Sequence, residues 1–381
     1  MGDALQGKTT TPAATGPHGA WTGSPRATPG RLAALDVARG LSISLVVLGH
    51  TPLPAWLNGP LTTVRLPLLF FISGYLFNWE RYRHRPGRLA WERARRLLLP
   101  YVTAGLATFL FWLVARRPVD PAAQAVPWYR PLLGWLYGSS SDEWMVFNLP
   151  LWFLPASFWG QVIFWGLLRA VGHRSFAVQA AVAVAAGLGG AGLGRWAHLP
   201  WSVDVALATQ PFFWVGWFVR QRVGLRLPAT AWLAGTALWL AALGMNGPVA
   251  VNARAYGQPL WFYAGGLGAC LLALRLAAAL AAWHPARAVL GFLGRHSMVV
   301  LAFHVGLAFP VLAHLLQWWL GDALLGAWGL YWLWGLAMTA GLGWIVERSP
   351  WLATLLEGVP VPARTAKAER VPPRPAEQVT A

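Results

Sequence analysis

The stretch "DVARGLSISLVVLGHT", residues 36–51, decides how this chain is read. Its middle is apolar enough to sit in lipid, yet Asp36 and Arg39 stand at one end and His50 at the other. On an α-helix eleven residues advance about 1100°, three turns plus roughly 20°. Arg39 and His50 therefore share one face, about 16 Å apart along the axis. Asp36 lies on that face too, within pairing reach of Arg39. Charged groups in a span are costly and usually face a cavity or a partner, so this polar stripe marks candidate chemistry. Histidine is the side chain best suited to move a proton near neutral pH. Asp36 and Arg39 also fit a structural ion pair that orients the helix.

The surrounding composition makes that helix a membrane span. Of 381 residues, 56% are hydrophobic and only 11% are charged. A soluble chain carries about a quarter charged residues. Apolar runs near span length recur throughout, and lipid permits only helices or a closed barrel. The runs are continuous rather than alternating, which argues against a barrel. One cysteine, Cys270, leaves no internal disulfide or thiolate cluster. Residues 1–30 are rich in Gly, Pro and Thr and read as a disordered tail, not a secretory signal. The end of the chain reads the same way.

The expected fold is all-α: a polytopic membrane bundle of about ten transmembrane helices. They fall near 33–53, 62–79, 97–115, 150–170, 176–194, 203–219, 229–245, 259–282, 297–319 and 324–346. The division is a cytoplasmic tail at 1–30, a ten-helix domain at 31–348, and a second, mostly disordered tail at 349–381. The formal charge of +17 sits in short loops, which points to membrane topology rather than nucleic acid. With the amino terminus inside, 21 basic residues fall on the inner side and five on the outer. Arg81, Arg83, Arg85, Arg88, Arg93, Arg95 and Arg96 dominate the inner set. Both termini are therefore expected in the cytoplasm, in a multi-pass cell-membrane protein. The outer segment 116–149 has room for a small substrate-binding structure.

Several motifs resemble one family in collinear order. "RLAALDVARGLSISLVVLGHT" is similar to the first span of acyltransferase family 3 membrane proteins, where a basic residue and a histidine stand eleven apart, as Arg39 and His50 do. "LPLLFFISGYLF" (66–77) resembles the second-span signature, and "RARRLLLPY" (93–101) the basic boundary before the third. "LWFLPASF" (151–158) and "FLGRHSMVVLAFH" (292–304) resemble later segments. The resemblance covers residues 31–348 and is closest to the branch similar to fucose 4-O-acetylases.

That resemblance implies an O-acyltransferase. It would move an acetyl or other short acyl group from cytoplasmic acyl-CoA to a hydroxyl of a carbohydrate, glycolipid or secondary metabolite. His50 is expected as general base, with Arg39 and Asp36 completing the catalytic set; an acyl-histidine route is the rival chemistry. Arg93 and Arg96 fit the donor's phosphates, because arginine can bind phosphate in bidentate fashion. Ser73, Tyr75 and Tyr101 join them as donor contacts, although small residues beside Gly74 also suit close helix packing. Asn148 and Trp152 are the expected acceptor contacts. His304 and His314 stand in reserve. No histidine–carboxylate spacing suits a metal, and no nucleophile elbow or phosphate-binding glycine loop is present. The partners expected are acyl-CoA, the acceptor and membrane lipid, and no nucleic acid. A transporter or flippase of a lipid-linked sugar or small polar molecule is the alternative, but the related halves typical of many carriers are missing.

Overall fold

The computed structural model describes residues 29–224, 228–321 and 324–360. Residues 1–28 and 361–381 of the tails expected at 1–30 and 349–381, and Arg226, lie outside the described residues. Within them the chain is helical, with a lone bridge between Ala250 and Ala255. The main helices are α1 (Pro29–Gly49), α2 (Ala55–Tyr75), α3 (Pro86–Arg116), α4 (Leu149–Val171), α5 (Phe176–Leu193), α6 (Gln210–Phe218) and α7 (Ala229–Met245). Then follow α8 (Pro259–Ala282), α9 (His284–Arg295), α10 (Ser297–Leu320), α11 (Trp328–Arg348) and α12 (Pro350–Glu357).

Six helices among the described residues are long and apolar enough to cross a bilayer: α3, α4, α5, α8, α10 and α11. Helices also occupy the other four expected positions. There α1 carries Asp36 and Arg39, and α2 contains Pro60, Arg65 and Pro67. The segment expected at 203–219 breaks at Thr209, and α7 has 17 residues. Val102, Leu106, Leu110 and Val114 form an exposed stripe at four-residue spacing on α3. Such a stripe is stable facing acyl chains and not water.

Several helix pairs meet through backbone contact, among them the pairs that hold α1 and α2. A Cβ at Gly74 would collide with the Phe213 carbonyl, and one at Gly216 with the Phe71 carbonyl, so α2 and α6 touch reciprocally. Gly40 meets the Leu290 carbonyl and Gly294 the Asp36 carbonyl, which binds α1 to α9 the same way. Small residues permit this approach, and dispersion between closely packed helices is what holds a bundle together in lipid. Gly74→Val should therefore destabilise the protein by about 1–3 kcal/mol, because the obstacle is backbone and cannot rotate away. Thermal unfolding in detergent measures this; an unchanged midpoint would remove the contact from the account.

The region after Arg348 departs from a mostly disordered tail at its start. Ser349 caps α12, Pro350 opens it, and Gly358 closes it at φ 63°. Leu355 accepts a hydrogen bond from Thr103 Oγ1 at 2.6 Å. Glu357 pairs with His296 at 2.8 Å. Gly358 abuts the Arg95 carbonyl. The capping residue, the proline and the glycine are a readable local signal for a short helix.

Elsewhere a buried clasp joins two loops to the short helix Val203–Ala208. Arg254 Nε lies 2.7 Å from Asp204 Oδ2, and both side chains are almost fully enclosed. Arg254 also donates to Ser140 Oγ and, at 2.8 Å, to the Asn252 carbonyl. Trp201, Ser202 and Arg254 all have left-handed backbones, with φ 55°, 51° and 59°. Each such residue costs about 1 kcal/mol or more, so the ion pair holds strained loops in place.

Candidate active site

The unbroken course of α1 separates its polar groups. Arg39 and His50 stand eleven residues apart, about 16 Å along the axis, and helical side chains tilt towards the amino end. The reach of the two side chains does not close that gap. Two centres result, one at each end of the helix.

At the first, Arg39 lies within electrostatic range of Asp36, Arg93 and Arg96, and Asp36 within range of Arg295. Among the described residues, no direct hydrogen bond or ion pair joins Asp36 to Arg39, which corrects the expected pairing. Their three-residue spacing puts them on one face but does not force the side chains together. Glu92 is already occupied: Arg81 donates to it at 2.7 Å, Arg88 at 2.8 Å and the Tyr82 hydroxyl at 2.7 Å. Arg93 stacks over the Tyr82 ring at 5.5 Å, and its buried Nε has no partner. Arg93 and Arg96 thus form no ion pair among the described residues.

At the second centre, His50 meets His304. The ring centroids are 5.1 Å apart, and His304 Nε2 lies 3.3 Å from His50 Nδ1. His304 sits where α10 widens into a π-helical turn, His304–Ala308. Such turns leave carbonyls needing partners and recur at functional sites. Here side chains supply them: His304 Nδ1 meets the Val300 and Leu301 carbonyls at 2.8 and 3.0 Å, and Asn148 Nδ2 donates to the Ala302 carbonyl at 2.7 Å.

These partners dictate the tautomers. Carbonyls only accept, so His304 Nδ1 carries the proton and its Nε2 accepts. His50 Nδ1 then donates, shared between His304 and the Val46 carbonyl at 2.9 Å. The basic nitrogen of His50 is Nε2. The side chain lines a cavity of 780 Å³ bounded by α10, the end of α3 and the loop after it. His314 and Tyr331 line the same cavity, as do Arg116 and Asp120, which pair at 3.0 Å. Arg39 is not among the lining residues.

Other expected contacts lie elsewhere. Ser73 Oγ is tied to the Leu69 carbonyl of its own helix at 2.8 Å, and Tyr75 is buried where α2 meets α6. The Tyr101 hydroxyl donates to the Trp135 carbonyl. Asn148 is fully buried, also donating to Thr108 Oγ1 at 3.1 Å, and Trp152 is buried against Phe153. Neither lines the cavity. Ser73, Tyr75 and Tyr101 were expected beside the donor from their motif segments, and Asn148 and Trp152 beside the acceptor from their place flanking the fourth span; in the structure Ser73 is half-buried and the other four are buried.

Arg65 was not foreseen. Its guanidinium packs on Gly49, leaving no room for a Cβ there, and donates to Asn58 Oδ1 at 2.9 Å. It is the cation within electrostatic range of His50. A lone arginine inside the apolar part of α2 was the available signal. Among the described residues, no three His, Cys, Asp or Glu side chains gather as a metal site.

The six long apolar helices define a polytopic membrane protein with polar groups at both ends of α1. The acyltransferase family 3 profile, described as an acyltransferase domain, matches residues 32–348, and the chain belongs to that family. It is an acyl-transferring enzyme. No curated protein and no solved structure matches it.

Proposed function

We propose that the protein transfers a short acyl group, acetyl by default, from acyl-CoA to an acceptor hydroxyl, with His50 as general base. The observation that carries this is the His50–His304 pair, which leaves His50 Nε2 basic and free of protein partners on a side chain that lines the cavity. His50 Nε2 takes the hydroxyl proton as the acceptor oxygen attacks the thioester carbonyl carbon. The carbon–sulfur bond breaks, and the proton passes from His50 to the departing thiolate, giving an ester and free CoA. His304 holds the base in its tautomer and orientation, as a carboxylate does in a serine hydrolase triad.

Arg93 and Arg96, with Arg39 behind them, would hold the donor's phosphates at the far end of α1. The pantetheine arm then spans the roughly 16 Å to His50. Arg39 accordingly serves the donor, and Arg65 is the cation beside the reacting groups. The excess of basic residues on the Arg93 side supports a cytoplasmic donor face, cytoplasmic termini and a place in the cell membrane. The cavity then opens on the other side. Acceptor classes open to such a site are a carbohydrate, a glycolipid or a secondary metabolite.

Incubating membranes with radiolabelled acetyl-CoA tests the reading: covalent transfer of label supports it, and uptake without transfer would mean a carrier. In that assay Arg93→Ala and Arg96→Ala should each raise KM for acetyl-CoA about tenfold or more, as loss of a charge-assisted hydrogen bond does. Their kcat should change little. A fall in kcat at unaltered KM would remove the donor assignment.

A further inference from the structure

The cavity restricts the acceptor more narrowly than its family does. It runs along α10 from Val305, at the level of His50, to Gln317, twelve residues or about 18 Å. Twelve of its eighteen lining side chains are apolar, and between the ends the wall is Phe111, Ala115, Phe309, Val311 and Ala313. Its polar groups are unevenly placed. His50 stands beside His304 at the Val305 end; Arg116, Asp120 and Gln317 stand towards the other. Only His314 and Tyr331 lie between, enough for one or two hydroxyls.

A sugar chain fits this lining poorly. Its ring hydroxyls give up water on entry, and each one left unpaired costs about 1–3 kcal/mol. The mid-section offers too few partners, and no tryptophan lines it for a sugar ring to stack on. The mouth has a matching character. Val119 and Leu315 at its edge are exposed, and Trp318 and Trp319 project beyond Gln317 with about three quarters of their surface uncovered. Exposed tryptophans at a helix end mark the level of the bilayer interface. A molecule dissolved in that interface meets the mouth directly.

We propose that the acceptor is an amphipathic alcohol partitioned into the membrane, with an apolar body of drug-like size, and not a polysaccharide. This rests on the reading of His50 as the base. Its reacting hydroxyl lies at His50, its body fills the apolar mid-section, and its polar end meets Arg116, Asp120 and Gln317. The volume, 780 Å³, falls within the range of about 300–1,000 Å³ usual for small-molecule sites.

The test uses membranes from the source cells, with and without the gene, incubated with [14C]acetyl-CoA. The product is split between chloroform–methanol and water. The expected result is a base-labile labelled ester in the organic phase that needs the gene and intact His50. Ala313→Phe, which fills the mid-section, should lower its yield at least about tenfold. Val184→Phe, the same ring added at an exposed α5 position outside the lining, should retain it at matched protein level. His50-dependent label on a water-soluble glycan would overturn the acceptor class while leaving acyl transfer in place. Unimpaired yield in a folded Ala313→Phe protein would also overturn it. No label in either phase would overturn both the class and the transfer reading beneath it.

Discussion

Replacing His50 with alanine is expected to reduce acyl transfer by about 100- to 10,000-fold, the usual worth of a positioned base. The protein should still fold and insert. His50 follows the last turn of α1 and borders a cavity, so its ring supports little packing. His304 differs: it is fully buried in the π-helical turn, and His304→Ala should cost both activity and stability. His304→Gln, which can still bond the backbone carbonyls, should recover stability before activity. The measurement is label transfer from acetyl-CoA with membrane protein level and detergent melting as controls. Full transfer by a well-folded His50→Ala protein would leave the site without its base.

Arg254→Ala should have the largest effect on stability. It leaves Asp204, wholly enclosed, without its counter-charge. Breaking a buried pair from one side costs about 3–5 kcal/mol, because the remaining charge stays out of water. The strained turns at Trp201 and Ser202 would lose their anchor at the same time. Removing both charges, as Arg254→Met with Asp204→Leu, should recover a good part of the loss, since apolar replacements avoid desolvating a charge. Thermal unfolding in detergent separates the cases. A single variant that melts like the parent would show that the clasp does not hold the loops. The chemistry at His50 should survive in whatever fraction folds, because the clasp does not border the cavity.

The acidic residues show how unevenly the sequence could be read. Asp36 was visible because it interrupts an apolar run, yet its expected pairing with Arg39 is not made. Asp204 sits inside another apolar stretch, and its partner lies 50 residues on, beyond the reach of any local pattern. Glu92 reads as one charge in a basic loop, but its three bonds decide which arginines remain available. Asn148 and Trp152 drew notice because they flank the fourth expected span on its outer side, and folding buried both. The helix ends were more legible. Ser349, Pro350 and Gly358 bracket α12 in plain view, while the hydrogen bond from Thr103 that docks it onto α3 leaves no such mark.

The sequence alone determined the helices, the lipid-facing character and the eleven-residue spacing that puts Arg39 and His50 on one face. Those properties follow from periodicity and backbone hydrogen bonding within a single segment, which neighbouring residues encode. Only the tertiary structure decided that His50 meets His304, 254 residues away, that Arg65 and not Arg39 stands beside it, and that the cavity wall is apolar. Each of these depends on how helices cross, and crossing is set by contacts such as Gly74 on Phe213 and Gly40 on Leu290. Every partner in such a contact is remote in the chain, so no local pattern announces it.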